Sequence, residues 1–278
     1  MTGSLASAGV RRLLVVADSL AFYGPSGGEL LTHPGLFPHV AARHLSCRPA
    51  SRPPRPRAPH AAGDRPADAV QVRADVVAQL GWTARDAWEA LTRDPRVYSL
   101  LLPAADAVVL AVGGMDYLPT VLPTHLREGI RYLRPPAVRR TVRAAYRAAQ
   151  PVGARLLRGR WRTLPQRVTD DHLSRCVHGI RYYHPGTPVV GVLPPPHDAP
   201  FYGRVVAGHA PAVAAAARWG EREGVPMVDL PAAVGPFLRA GGCNPDGMHW
   251  GWAAHAAAGE AIAEVVRDHP GWRLPASG

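Results

Sequence analysis

Two short segments hold the residue types that acyl-transfer chemistry needs: Asp18-Ser19, directly after an apolar run, and Asp246-Gly247-Met248-His249 further along the chain. A serine hydroxyl is a weak nucleophile until a neighbouring base takes its proton, and an imidazole base needs a carboxylate to hold its tautomer. The spacing of Asp246 and His249 lets one local turn bring the carboxylate to the near ring nitrogen. The far nitrogen is then free to face a strand end. Ser19 is therefore the candidate nucleophile, His249 the base and Asp246 the orienting acid. Short Asp–His spacings also occur in ordinary surface turns, so the weight of this one comes from its pairing with Asp18-Ser19. A rival nucleophile lies in Gly24-Pro25-Ser26-Gly27-Gly28, which fits the G-x-S-x-G pattern of a nucleophile elbow. That elbow needs a strand ending at it and a helix starting after it. Here the apolar run ends seven residues earlier and Gly27-Gly28 is a poor helix start.

The elements that must carry these residues are legible as alternating strands and helices. Leu13–Ala17 is a continuous, partly β-branched apolar run suited to a buried parallel strand. Similar runs predict strands within Val70–Leu80, at Ala107–Val112, at Pro188–Leu193 and, shorter, at Met227–Leu230. Helices are predicted near residues 38–46, from Ala84 to Thr92, over the Ala-rich Ala210–Glu223, and over Trp250–Val266. Such alternation implies a parallel α/β sheet with function at the carboxyl ends of its strands. Arg48–Asp68 is Pro, Arg and Ala without periodicity, and reads as a flexible insertion over 48–68.

The composition narrows the chemistry further. At 278 residues and 47% apolar content, the chain has material for a substantial core, and one domain over 1–278 is expected. All 32 basic residues are Arg and the formal net charge is +11. The absence of Lys removes the P-loop lysine, the pyridoxal Schiff base and the kinase-type lysine. Cys47, Cys176 and Cys243 are scattered without a CxxC pair, which argues against a disulfide framework and a zinc site. Leu13–Ala17 is too short for a signal-peptide core and no stretch approaches membrane-spanning length, so a soluble cytoplasmic protein without stable membrane insertion is expected.

From Gly129 to Thr169 the chain has no acidic residue and eleven Arg. Arg139, Arg143 and Arg147 would form one stripe on a helix, beside an apolar stripe of Val138, Val142 and Tyr146. A helical cover over 119–178 that binds anions is one reading, and a solvated face is the other. Aromatic residues are not interleaved with the Arg clusters, so no nucleic-acid partner is expected despite the charge.

Ala17-Asp18-Ser19-Leu20 resembles the GDSL block of the SGNH hydrolases, with Ala for the leading Gly. Gly81, Gly113-Gly114-Met115-Asp116 and Asp246–His249 match the later blocks in order. The resemblance implies a three-layer α/β/α fold with a central parallel sheet, and an oxyanion hole built from the backbone N–H groups of Ser19 and Gly81. One departure stands out: Met115 occupies the position of an Asn whose side chain normally completes that hole, and a thioether donates no hydrogen bond.

Several longer segments are similar to the actinobacterial diglucosylglycerate octanoyltransferases: Asp18–Gly28, Gly81–Trp88, Gly114–Pro119 and Ile130–Pro136. This narrower resemblance implies transfer of an octanoyl group from a coenzyme A thioester to an anionic sugar-glycerate acceptor, with no cofactor and no metal. It also implies that Met115 is a family trait. Asp18, Trp82, Asp116, Tyr117 and Arg134 are the candidate substrate-binding residues; Trp82 and Tyr117 flank strand ends and could line an acyl pocket, with ordinary core packing as the alternative. The alternatives are an esterase of the same fold using water as acceptor, and a basic nucleic-acid-binding protein.

Overall fold

The computed structural model describes residues 10–46 and 70–272; the expected insertion at 48–68 lies outside them. Five parallel strands form the central sheet: β1 (Arg11–Ala17), β2 (Val72–Ala78), β3 (Ala107–Ala111), β4 (Val189–Val192) and β5 (Met227–Val228), in the order β2-β1-β3-β4-β5. Among the described residues, seven helices of ten residues or more accompany them: α1 (Phe37–Ser46), α2 (Ala84–Arg93), α3 (Pro136–Leu156), α4 (Gln166–Tyr183), α5 (His209–Glu223), α6 (Leu230–Arg239) and α7 (Trp252–Asp268).

The residues of β1 explain why it lies inside the sheet, between β2 and β3. Leu13, Val15 and Ala17 pack on one side against α1, α6 and α7, while Leu14 and Val16 pack on the other against α2, α4 and α5. A strand apolar on both faces is stable only between two helical layers, where each fully buried aliphatic side chain contributes about 1.5–3 kcal/mol. The result is the three-layer α/β/α arrangement with helices on both faces. The strand order reverses direction around β1 and β3, and open parallel sheets place their sites in the crevice at such a switch point.

The larger departures from the sequence expectation lie at β5, α6 and the closing helix. β5 stops at Val228 because Asp229 turns away to cap α6, its carboxylate accepting the Ala232 N–H at 2.9 Å. Helix α6 itself is not foreseen, since Pro231, Gly235 and Pro236 mask its period. The closing helix begins at Trp252; Trp250 stays extended, bridged to Cys243, and Gly251 is the N-cap.

The stretch expected to form a cover divides in two. The chain from Gln166 onward belongs to the body, with Leu173, Cys176, Val177 and Ile180 of α4 in the core. Helix α3 instead lies largely exposed beside the strand ends. It is pinned through buried Gln150, whose amide accepts from Val121 N at 3.0 Å and donates to the Pro119 carbonyl at 2.7 Å. Among the described residues, no helix is long and apolar enough to cross a membrane.

Candidate active site

Ser19, the candidate nucleophile, stands where β1 ends. Asp18 caps a single 3-10 turn, Ser19–Ala21, by accepting the Leu20 N–H at 2.9 Å. That turn stops the strand and fixes Ser19, which is 2% exposed. Burial pushes the Asp18 carboxyl up to about 7, opposed by the Leu20 N–H. Asp18 is thus a buried brace for the turn as well as a wall of the small recess beside Ser19.

His249 reaches Ser19 from the turn before α7. Its Nε2 lies 2.9 Å from Ser19 Oγ and its Nδ1 2.6 Å from Asp246 Oδ2. The other Asp246 oxygen accepts the Met248 and His249 N–H groups at 2.9 and 3.0 Å, so the carboxylate is held at both ends. Partial burial disfavours the charged Asp246, yet these hydrogen bonds, led by the His249 ring, outweigh it and hold the carboxyl below its usual range. A charged Asp246 accepts a hydrogen bond from Nδ1–H, which leaves Nε2 as the acceptor for the serine hydroxyl.

The turn is itself anchored. Asn244 N donates to the His249 carbonyl at 2.8 Å, and Asn244 Nδ2 donates to the Gly24 carbonyl at 2.7 Å. Gly247 adopts φ +67°, and a Cβ there would meet Asp198 O at 2.3 Å, so only glycine fits. Tyr23 stacks on the His249 ring with centroids 4.1 Å apart. Tyr23 is held in turn by buried His255, whose Nδ1 accepts from Phe37 N and whose Nε2 donates to the Tyr23 carbonyl at 2.9 Å. An aromatic face over the imidazole favours its cationic form during proton transfer. Neither Tyr23 nor Asn244 is marked by the spacing argument. Proximity of Asn244 to the Asp–His turn is the only sequence signal either one offers.

A cleft of about 1020 Å³ opens over Ser19 and His249 and is also walled by Gly81, Trp82 and Met115. Gly81 has φ +76°, and among the described residues neither its N–H nor that of Ser19 donates to another backbone group. Both are therefore available to a developing oxyanion. Met115 is buried, packed with Tyr117, Leu118, Tyr202 and Met248. Ser26, the rival nucleophile, is exposed at the tip of a two-residue hairpin, Tyr23–Gly24 with Gly27–Gly28.

The remaining expected substrate residues separate. Trp82 is half-buried and lines the cleft. Asp116 is buried, with its carboxylate accepting the Ala84 N–H at 3.1 Å, so it holds the start of α2 rather than facing the cleft. Burial pushes that carboxyl up to about 7 as well, against the Ala84 hydrogen bond and with the Asp86 and Asp18 charges adding to the rise. Tyr117 spends its hydroxyl on the Pro195 carbonyl at 2.9 Å and forms part of the wall of the recess beside Ser19. Arg134 is exposed and is not among the residues that line the cleft; Arg127, Arg131 and Arg147 are.

No family model matches the chain. The diglucosylglycerate octanoyltransferases of Mycobacterium tuberculosis and Mycolicibacterium hassiacum are each 38% identical to it over 256 residues, spanning 92% of this chain and 92% and 95% of theirs. The chain belongs to the diglucosylglycerate octanoyltransferase family. Solved lipases and esterases share the fold of this chain. A lipase/acylhydrolase from Enterococcus faecalis superposes with a TM-score of 0.57 at 13% identity, covering 93% of this chain and 96% of that one. A carbohydrate acetylesterase family member from Sinorhizobium meliloti gives 0.54 at 14%, covering 93% and 98%. The aryl esterase of M. smegmatis gives 0.52 at 16%, covering 93% and 99%.

For a diglucosylglycerate octanoyltransferase family member with Met115 beside the nucleophile, one expectation follows directly. If the two backbone N–H groups carry the oxyanion, Met115→Ala changes turnover by less than about tenfold. Met115→Asn adds a donor of the kind worth roughly 3 kcal/mol where charge develops, and raises hydrolysis of a short-chain ester. Turnover of both variants on a chromogenic ester, with thermal unfolding as a control, checks this. A hundredfold loss in a stably folded Met115→Ala variant contradicts it.

Proposed function

We propose that this chain moves an octanoyl group from an acyl-CoA thioester to a hydroxyl of a diglucosylglycerate acceptor through an acyl-enzyme on Ser19. The Ser19–His249–Asp246 hydrogen-bond chain, at 2.9 and 2.6 Å in a member of this family, carries the reading. Ser19 Oγ attacks the thioester carbonyl as its proton passes to His249 Nε2, and the N–H groups of Ser19 and Gly81 hold the oxyanion. The intermediate collapses by breaking the C–S bond, and the leaving thiolate takes the proton from Nε2. The acceptor hydroxyl then gives its proton to the same nitrogen while its oxygen attacks the acyl-enzyme. Collapse releases the new ester and returns the proton to Ser19 Oγ. Asp246 keeps the ring orientation through both halves.

Transfer rather than hydrolysis requires that water be kept from the acyl-enzyme. In this reading α3 and the chain around it form the wall that does so once both substrates are seated. Incubating the protein with octanoyl-CoA, with and without diglucosylglycerate, and resolving products by mass spectrometry tests the assignment. The expected product is the octanoylated acceptor. Free octanoate at an undiminished rate in the presence of acceptor, with no new ester, makes the chain an esterase instead.

A further inference from the structure

The catalytic cleft does not end at the triad. It continues into a smaller annex of about 250 Å³, and the two share Arg127, Arg131, Arg147 and Phe201. The annex adds Arg143 and Tyr146. Four arginines from three elements thus border one recess: Arg127 from a short helix (Thr124–Gly129), Arg131 from the 3-10 turn after it (Ile130–Tyr132), and Arg143 and Arg147 from successive turns of α3. Among the described residues, none of the four forms an ion pair with a carboxylate. Elsewhere on the molecule Arg12, Arg96, Arg175, Arg204 and Arg222 all have acidic partners. Gathering four like charges without a counter-charge costs self-repulsion, which an anionic ligand relieves.

Two rings accompany the charges. Tyr146 and Phe201 meet edge to face, with centroids 6.1 Å apart at 71°. An arginine basket beside aromatic rings suits a phosphorylated purine nucleoside: guanidinium forks pair with phosphate oxygens, and a ring face stacks on the base. The charge balance separates the two anionic substrates. A glyceric acid acceptor offers one carboxylate. The 3′-phosphate and diphosphate of coenzyme A together bring about four negative charges, since each phosphate monoester carries up to two.

Resting on the acyl-CoA reading above, we propose that Arg127, Arg131, Arg143 and Arg147, with Tyr146 and Phe201, bind the phosphorylated adenosine end of the donor. The thioester then extends along the shared wall to Ser19. The glycerate carboxylate is bound elsewhere in the larger cleft. This also separates the useful arginines from the rest of the basic stretch: Arg134 does not border the annex, and Arg139 turns its guanidinium to the Arg131 carbonyl at 3.5 Å.

Adenosine 3′,5′-bisphosphate is the probe, because its binding by calorimetry needs no turnover. The expected result is saturable binding to the intact protein, weakened ten- to a hundredfold in Arg143→Gln/Arg147→Gln. Phe201→Leu should weaken the bisphosphate nucleoside several-fold more than it weakens inorganic pyrophosphate. In steady state, the arginine variant should raise KM for octanoyl-CoA by a similar factor. Octanoyl-pantetheine, which lacks the nucleotide, should show a variant-to-wild-type KM ratio below about two. A bisphosphate affinity unchanged in the arginine variant overturns the proposal, as does a KM increase confined to the acceptor. Protein that transfers octanoyl but binds no bisphosphate at millimolar concentration overturns the subsite and leaves the transfer reading standing. Arginine-dependent bisphosphate binding in a protein that transfers no acyl group upholds the subsite while defeating that reading.

Discussion

Ser19→Ala is expected to eliminate the octanoyl adduct seen by intact-mass measurement and to lower transfer by about five to six orders of magnitude. The size follows from the loss of the nucleophile in a unit whose members act together. Ser19 Oγ has His249 as its hydrogen-bond partner and the side chain loses only one atom, so the fold should persist. Ser26→Ala, at an exposed hairpin tip, should leave the chemical step within roughly tenfold. An adduct that survives Ser19→Ala but disappears in a folded Ser26→Ala protein would reverse the assignment.

Asp246→Asn carries the next largest expected effect. An amide at this position keeps an oxygen to accept the Met248 and His249 N–H groups, so the turn stays closed. Its NH₂ group now faces Nδ1, which favours the tautomer with the proton on Nε2. That nitrogen then points a proton at Ser19 instead of a lone pair. In a buried triad this inversion costs about 10⁴ in turnover. The Asp246 side chain is 46% exposed, so water can partly restore the productive tautomer and a loss of roughly 10²–10⁴ is expected. Single-turnover acylation rates across pH measure it, and a loss below tenfold would show that Asp246 does not set the tautomer.

The sheet was readable because its strands bury both faces. LLVVA in β1 and AVVLA in β3 are runs that water-facing structure would not tolerate, and their ends locate Ser19 and Met115 closely. The helix α6 was hidden by prolines that its first turn and a solvent-facing position can accommodate. Residues of the site divide along the same line. Ser19, Asp246 and His249 announce themselves because their chemistry is local to short segments. Tyr23 and Asn244 act through contacts across more than two hundred residues of chain, which spacing cannot reveal. Asp116 lay in the right block but serves the start of α2, since a carboxylate at that strand end meets unpaired helix N–H groups before it meets solvent. Among the arginines, composition marked the whole stretch, and only the path of α3 past the cleft distinguishes Arg147 from Arg134.

The contact at Gly247 bears on how the enzyme opens. The Asp246–His249 turn and the loop after β4 lie backbone against backbone, with Asp198 N donating to the Gly247 carbonyl at 2.8 Å and no side chain between them. Two strands of main chain in such contact have no rotamer to yield, so they move together or not at all. The Asp246–His249 turn is therefore expected to keep its place relative to the loop after β4. Movement that admits the proposed donor and acceptor is then expected at the opposite wall. There α3 is tied down mainly near its carboxyl-terminal third, through Gln150, Ala154 and the Arg155 bond to the Gly203 carbonyl. A helix anchored at one end is freest at the other, so the start of α3 is expected to move more than the Ser19–His249–Asp246 cluster as substrates exchange.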